Sequence, residues 1–286
     1  MKHKQREKKD KSKHRFLKLS LIISLLVIIA AGSAIWLSRP GDENIIQIKS
    51  TPEYFKVDGV KVKLQSINNI KYLYNAKTGK KLVGMQTLGS KIYYFNSTTG
   101  AAEFGYQKID GYSYYFEEDG TESAIKAYQH VAKSLVSDNT IIEKVISGGM
   151  QLVGKSPYAY GGGRTDESVA ANEFDCSSFV AYYFREAGLP LVYQYAASTT
   201  LLAQTGTRVA WDDMRRGDLL ITPDDYPEER QHVAIYLGDG FVLHDASSTG
   251  GVSISRLNQL VNPETSATLT WEGLFRPGYV QREVDA

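Results

Sequence analysis

The stretch NEFDCSSFVAYYFREAG, from Asn172 to Gly188, places the single cysteine of the 286-residue chain at the start of a predicted helix. Apolar residues follow at three- and four-residue spacing, which predicts one buried helix face that ends at the glycine. Asp175 suits the N-cap, so Cys176 is predicted to be the first helical residue. Because the backbone N–H groups and the helix dipole point there, we expect a lowered thiol pKa. A lone cysteine is otherwise most often a small buried residue.

A second stretch, QHVAIYLGDGFVLHDAS from Gln231 to Ser247, predicts a strand, a Gly-Asp-Gly turn and another strand. A three-residue loop would place Ala234 opposite His244, with His232 and His244 on one face, about 7 Å apart. A two-residue loop would point the histidines apart. Each histidine alone is explained by a structural role. Together with the cysteine they supply a nucleophile, a base and an orienting group, so we predict the three-residue loop and nucleophilic catalysis.

Three more stretches support this site. SPYAYGGGR at 156–164 puts aromatic residues beside a glycine run, where backbone can approach a ligand closely. WDDMRRGDLLI at 211–221 predicts a turn that leads into a buried strand. From residue 122 the spacing of apolar residues is helical, and Thr140 with Glu143 fits a capping box.

The motifs PYAYGGG, FDCSSFV, RRGDLLI and HVAIYLGDGFVLHD resemble, in order and spacing, those of the NlpC/P60 family of papain-like cysteine peptidases. The resemblance covers roughly residues 140–280. It implies an α+β fold in which helices pack on a small antiparallel sheet and the cysteine begins a helix. It also implies cleavage of bacterial peptidoglycan stem peptides, typically between D-γ-glutamyl and the diamino acid.

The resemblance assigns site residues by position. Cys176 resembles the nucleophile, His232 the base and His244 the orienting third residue. Tyr158, Asp175 and Ser177 resemble the residues that line the substrate site beside the sulfur. Two positions depart from the family pattern, because Tyr160 stands where tryptophan is usual and Arg216 where proline is usual.

Two other functions fit the same sequence. One is a papain-like amidase that cuts between the lactyl group of the glycan and L-alanine. The other is a non-catalytic wall-binding anchor, against which the intact cysteine and histidines argue. No cofactor and no metal is expected, because the additional cysteine and histidine ligands of a zinc site are missing from these motifs.

Three lines upstream align around a recurring tyrosine: KYLYNAKTG, IYYFNSTTG and SYYFEEDG. Tyr72, Tyr93 and Tyr114 recur about every 21 residues, which predicts stacked β-hairpins. GMQTLGSKIYYF and GYQKIDGYSYYF resemble choline-binding cell-wall repeats, but Met85 and Tyr106 replace the tryptophans that build the choline site. We therefore expect residues 41–120 to act as a spacer or a weak wall contact.

The amino terminus has the pattern of a membrane anchor. Residues 1–18 are rich in lysine and arginine, and residues 19–37 carry no charge over a length that can cross a bilayer. The positive-inside rule then places the rest of the chain outside the cell. A signal peptide cleaved near Ala31–Ala34 is the alternative, and would give a secreted protein. The net charge of +1 gives no reason to expect nucleic-acid binding.

The predicted organisation has four parts. They are a basic cytoplasmic leader at 1–18, a transmembrane signal-anchor helix at 19–37, β-hairpin repeats at 38–121 and a peptidase domain at 122–286. The predicted partners are the stem peptides of peptidoglycan, the cell wall through residues 41–120 and the membrane through residues 19–37.

Overall fold

The structure is a computed structural model that describes residues 49–263, 265 and 268–284. The predicted leader and the predicted membrane segment lie outside the described residues. Within the described part of the chain, no helix is both long and apolar enough to span a membrane. The chain divides into two compact units, and the second contains Phe104–Ala286.

The first unit is built from short antiparallel strands. They are β1 (Glu53–Val57), β2 (Val60–Ile67), β3 (Ile70–Asn75) and β4 (Lys81–Leu82), paired in chain order, followed by a separate hairpin of β5 (Gly84–Leu88) and β6 (Lys91–Phe95). Alternating residues of these strands point into one small core: Val62, Leu64, Leu73, Leu88, Tyr93 and Phe95. Two of the tyrosine lines thus form the second strands of hairpins, whereas their assignment to wall-binding repeats stays a prediction.

The second unit combines helices with a larger sheet. Its strands are β7 (Gly105–Ile109), β8 (Tyr112–Phe116), β9 (Thr207–Val209), β10 (Leu219–Ile221), β11 (Val233–Gly238), β12 (Phe241–Ala246), β13 (Gly251–Arg256) and β14 (Tyr279–Arg282). Its α-helices are α1 (Ala124–Val131), α2 (Thr140–Met150), α3 (Asp166–Ala170), α4 (Cys176–Glu186), α5 (Thr199–Leu202) and α6 (Trp271–Phe275). Six strands form one antiparallel sheet in the order β13-β12-β11-β10-β14-β9.

Each face of this sheet is covered by helical residues. Phe179, Val180 and Phe184 of α4 belong to a buried cluster with alternate residues of β11 and β12. Trp271 and Phe275 of α6 belong to the cluster on the other face. Since burying each such side chain stabilises the fold by about 1.5–3 kcal/mol, this packing fixes α4 against the sheet. The predicted α+β arrangement is confirmed.

The capping box predicted at the start of α2 does not form, and Arg216 gives the reason. The helix is capped by Asn139, whose side chain accepts from two backbone N–H groups, so the predicted capping box of Thr140 and Glu143 is wrong. The Glu143 carboxylate instead forms a two-pronged ion pair with Arg216, at 2.7 and 2.9 Å. A charged fork of this kind is stronger than a neutral capping bond. Arg216 also donates to the carbonyl of Leu237 and so ties α2 to β11.

The third hairpin, β7–β8, packs within the second unit. Asp239, in the turn after β11, accepts hydrogen bonds from Lys108 at 2.7 Å and from Ser113 at 2.5 Å. Glu122, just beyond the hairpin, forms a 2.5 Å ion pair with Arg256 of β13, and both side chains are almost fully buried. By these contacts the hairpin is a structural part of the second unit. The boundary predicted at residues 121 and 122 stays a prediction that these contacts do not favour.

The ring of Tyr106 is covered by a neighbouring side chain. Its ring stacks on His130 of α1 with centroids 4.1 Å apart, and its hydroxyl is bonded to Ser113. An aromatic cage needs ring faces that a cation can reach. This arrangement favours the expectation that the hairpins do not bind choline, which remains a prediction.

Candidate active site

The start of α4 holds the cysteine as predicted. Asp175 is the N-cap, and its carboxylate accepts from the backbone N–H groups of Ser177 and Ser178 at 3.1 and 3.0 Å. Cys176 is the first helical residue, and 7% of its surface is exposed. The helix therefore fixes the sulfur at its amino-terminal end, next to backbone N–H groups.

An arginine that the motifs did not single out holds this cap in place. Arg164 donates to the Asp175 carboxylate at 2.5 Å and to the carbonyl of Ala197 at 3.1 Å, and it also contacts the Ser177 hydroxyl. Burial alone would raise the pKa of Asp175, but hydrogen bonds from Arg164 and from the Ser178 backbone lower it below its usual value. Asp175 therefore remains charged. The arginine that follows the glycine run was the available sequence signal.

The turn between β11 and β12 sets the register of the two histidines. Gly238 pairs with Phe241 across a two-residue turn, Asp239–Gly240, whose φ angles of 49° and 75° are left-handed. A β-bulge then shifts the register, so that Ile235 pairs with Leu243. The predicted three-residue loop is therefore wrong, but the bulge supplies the one-residue offset that such a loop would have given.

This register brings the histidines together. Extended by one residue, it places Ala234 opposite His244, as predicted. Nε2 of His232 lies 2.9 Å from Nδ1 of His244, and Nε2 of His244 lies 3.0 Å from Oγ of Ser255 on β13. All three polar side chains are buried. The two histidines thus form a continuous hydrogen-bonded chain that ends at Ser255, a serine that no motif predicted.

Residues 154–268 match the model of the NlpC/P60 family. The matched residues are less than half of the chain. Over 153 residues it is 40% identical to the peptidoglycan DL-endopeptidase CwlO of Bacillus licheniformis, a match that covers 53% of this chain and 30% of that protein. It is 37% identical over 114 residues to the probable endopeptidase YafL of Escherichia coli, which covers 37% of this chain and 40% of that protein. The chain therefore matches less than half the length of either relative.

A solved structure is also similar. The peptidoglycan hydrolase RipB of Mycobacterium tuberculosis is 24% identical, with a TM-score of 0.38 over 57% of this chain and 71% of that chain.

The second unit has an open cleft of about 990 Å3 beside the sulfur. Cys176 and His232 both line it, whereas His244 lies behind His232. The other lining residues singled out from the sequence are Tyr158, Tyr160, Asp175 and Ser177. A cleft of this size can take a short peptide in extended form.

Burial in this site favours the neutral forms of the cysteine and of both histidines. Burial, and then the charge of Asp175, raises the pKa of the Cys176 thiol to about 12, although backbone N–H groups of Val233 and Ser177 oppose the rise. Burial lowers the pKa of His232 to about 4 and that of His244 well below its usual value. The expected low thiol pKa is therefore wrong for this pocket, because desolvation outweighs the helix terminus.

The hydrogen bonds are compatible with the proton positions that a base requires. If Nε2 of His232 donates to Nδ1 of His244, and Nε2 of His244 donates to Ser255, then Nδ1 of His232 is unprotonated. That nitrogen can accept the thiol proton. Trp271 of α6 packs against both rings, with centroids 5.3 Å from His232 and 4.4 Å from His244, and holds them in place.

The three predicted substrate-binding residues differ in their surroundings. The Ser177 hydroxyl donates to the Asp175 carboxylate at 2.9 Å, and both side chains are buried and engaged with Arg164. These contacts favour a supporting role for the pair. Tyr158 borders the sulfur, and burial raises the pKa of its phenol above its usual value, so that the hydroxyl keeps its proton. Tyr158 can thus donate a hydrogen bond into the cleft.

Proposed function

We propose that this chain is a cell-wall hydrolase that cleaves the D-γ-glutamyl–diamino acid bond of peptidoglycan stem peptides. The observation that carries the proposal is the 2.9 Å bond between His232 and His244 in a cleft that Cys176 lines. A thiol, a base and an orienting group arranged in this way perform acyl transfer. The similarity to CwlO, which is named a peptidoglycan DL-endopeptidase, supports the same bond.

The reaction begins from the neutral pair. Because the resting site favours a thiol and a neutral imidazole, we propose that Nδ1 of His232 takes the proton as the sulfur attacks the scissile carbonyl carbon. Collapse of the tetrahedral intermediate breaks the C–N bond, and His232 returns the proton to the leaving amine. Water then attacks the thioester, with His232 as base, and releases the new carboxyl group and the thiol.

The negative charge that develops on the carbonyl oxygen during attack needs hydrogen-bond donors to stabilise it. The backbone N–H of Cys176 lies at the amino terminus of α4, and the Tyr158 hydroxyl lies in the same cleft. Both groups donate without being charged, so they stabilise an oxyanion in a partly desolvated site. We propose that they form the oxyanion hole.

Defined muropeptides and product masses test this function. The proposal expects two fragments, one ending in D-glutamate and one beginning with the diamino acid. Release of the whole stem peptide from the glycan would identify an amidase instead. No product from any muropeptide, with the protein still bound to walls, would identify a non-catalytic anchor.

We also propose the cellular arrangement that the sequence predicts. Residues 19–37 would anchor the chain in the membrane, with the NlpC/P60 domain on the outer side and residues 41–120 between the two. Fractionation of cells followed by external protease tests it. A soluble form beginning near Ala34 would show that the segment is a cleaved signal.

A further inference from the structure

Asp245 is a buried acid that the proposed mechanism does not use. It follows His244 in β12 and therefore points to the opposite face of the sheet. None of its surface is exposed, and within the described part of the chain neither carboxylate oxygen has a hydrogen-bond partner. Burying an unpaired carboxylate is strongly unfavourable, whereas a neutral carboxyl group is tolerated.

The groups around Asp245 do not compensate a negative charge. From the start of α4 it faces the charge of Asp175 and the neutral thiol of Cys176, and from the loop before α3 the neutral phenol of Tyr158. Its pairing partner on β13 is Val252. All of these neighbours are apolar, neutral or acidic.

Arg164, the basic side chain bound to the start of α4, has its donors engaged with other groups. Arg164 gives its donors to Asp175, to Ser177 and to backbone carbonyls, among them that of Ala197. Burial, and then the charge of Asp175, therefore raises the pKa of Asp245 to about 8. The carboxyl group is mostly neutral at pH 7.

An ionised Asp245 would act electrostatically on the Cys176 sulfur and on the Tyr158 phenol. Its charge raises the pKa of Cys176 and of Tyr158. The pKa of His232 responds to burial and to Asp175, and that of His244 to burial and to His232. An ionised Asp245 would thus oppose the formation of a negative sulfur.

We propose that Asp245 is a positioning residue. While its carboxyl group is neutral it places no negative charge near the Cys176 sulfur, and its ionisation in mild alkali slows the reactions of that thiol. Its effect on turnover rests on the function proposed above. Its effect on the sulfur belongs to the resting protein and needs no substrate.

Alkylation of the single cysteine by iodoacetamide measures this effect in the full chain. Asp245→Asn keeps the shape of the side chain and removes its ionisation, and Asp212→Asn on the exposed surface is the matched control. At about pH 6 the wild type and Asp245→Asn should react equally fast, because both carry a neutral group there. At about pH 9 Asp245→Asn should react up to about tenfold faster than the wild type, the equivalent of one pKa unit of the thiol. Asp212→Asn should follow the wild type throughout.

Thermal unfolding gives a second readout that does not involve the sulfur. A carboxyl group with a raised pKa in the folded state stabilises the protein below its unfolded pKa, and that contribution is lost as pH rises through the folded value. The melting temperature of the wild type relative to Asp245→Asn should therefore fall between about pH 5 and about pH 8.

Hydrolysis of muropeptides separates the two proposals. The kcat of the wild type should fall relative to Asp245→Asn above about pH 8, with KM unchanged, because the residue does not reach the cleft. If neither protein hydrolyses any muropeptide, the proposed function is wrong, and alkylation and unfolding still decide the role of Asp245. A rate ratio and a melting difference that are the same at every pH would overturn the proposal, since a purely structural residue would behave in that way.

Discussion

At the residue scale, His232 is the group on which the proposed chemistry most depends. His232→Ala should lower kcat by about 10²–10⁴-fold, since the thiol would lose its base. His244→Ala should cost less, because its role is to orient His232 and water can replace part of that bond. Steady-state kinetics on one soluble muropeptide measure both, with His130→Ala, outside the cleft, as the control. A larger loss for His244→Ala than for His232→Ala would reverse the assigned roles.

Tyr158 allows a test of the oxyanion hole. Tyr158→Phe removes one hydroxyl and should lower kcat by about 10²–10³-fold while KM changes little, as for other single donors of this kind. Tyr160→Phe is the matched control, because that ring is 72% exposed and its hydroxyl is bonded to Glu228. Equal, small effects of the two substitutions would remove Tyr158 from the oxyanion hole.

Acid should weaken the fold through the same buried histidine. The ring of His232 stays neutral in the folded state down to about pH 4, whereas in the unfolded chain it binds a proton near its usual value of 6.5. The stability from the neutral ring is therefore complete above pH 6.5 and is lost as pH falls toward 4, by up to about 3 kcal/mol. Urea unfolding at several pH values, compared between wild type and His232→Gln, measures it. Parallel pH curves for the two proteins would contradict the burial argument.

Single residues were predictable from sequence where a motif is local. Asp175 and Cys176 follow from capping and helix periodicity, and the structure places both as predicted. Ser255 and Asp245 were not predicted, because their importance depends on which strands become neighbours. The thiol pKa was misjudged for the same reason, since desolvation comes from packing across the whole domain.

At the scale of elements, Arg164 joins the glycine-rich loop to the start of α4. Its Asp175 partner is 7% exposed, so Arg164→Ala would leave a nearly buried carboxylate unpaired. We expect a loss of about 3 kcal/mol in the free energy of unfolding, and a lower kcat as the sulfur loses its fixed position. Arg185→Ala is the control, because its pair with Glu186 is exposed and should contribute less than about 1 kcal/mol. Equal destabilisation by the two substitutions would contradict this role.

The β11–β12 hairpin shows which part of an element the sequence determines. The catalytic roles of the two histidines require that they share a face, and this predicts the correct pairing of Ala234 with His244. The prediction of a three-residue loop is wrong because such a loop produces the same offset between the strands as a two-residue turn followed by a bulge. The capping box predicted at the start of α2 is wrong because Glu143 has a distant partner, Arg216, that no local pattern reveals.

At the scale of the whole molecule, the limit of the catalytic unit can be tested by deletion. Removal of residues 49–103 should leave hydrolysis of soluble muropeptides almost unchanged. Removal of residues 49–122 should destabilise the remaining chain by about 3–5 kcal/mol, because Arg256 would lose Glu122 and become an unpaired buried charge. Thermal unfolding and soluble-substrate kinetics of both proteins measure this. Equal stability of the two would favour the boundary predicted at residue 121.

Sequence periodicity could not place that boundary. The third tyrosine line has the same pattern as the first two, so periodicity predicts that all three belong together. Its hairpin and the following Glu122 contact Asp239 and Arg256, polar residues more than a hundred positions away in the chain, and hydrophobic alternation carries no information about such contacts.

The most direct test of the central claim is the mass of the full-length protein quenched in acid during turnover of a muropeptide, compared between wild type and Cys176→Ser. The account predicts that wild type releases a fragment beginning with the diamino acid and carries the other fragment as a thioester on Cys176, while Cys176→Ser folds normally and releases nothing. Hydrolysis by Cys176→Ser at the wild-type rate, or an acyl fragment attached to any other residue, would contradict it.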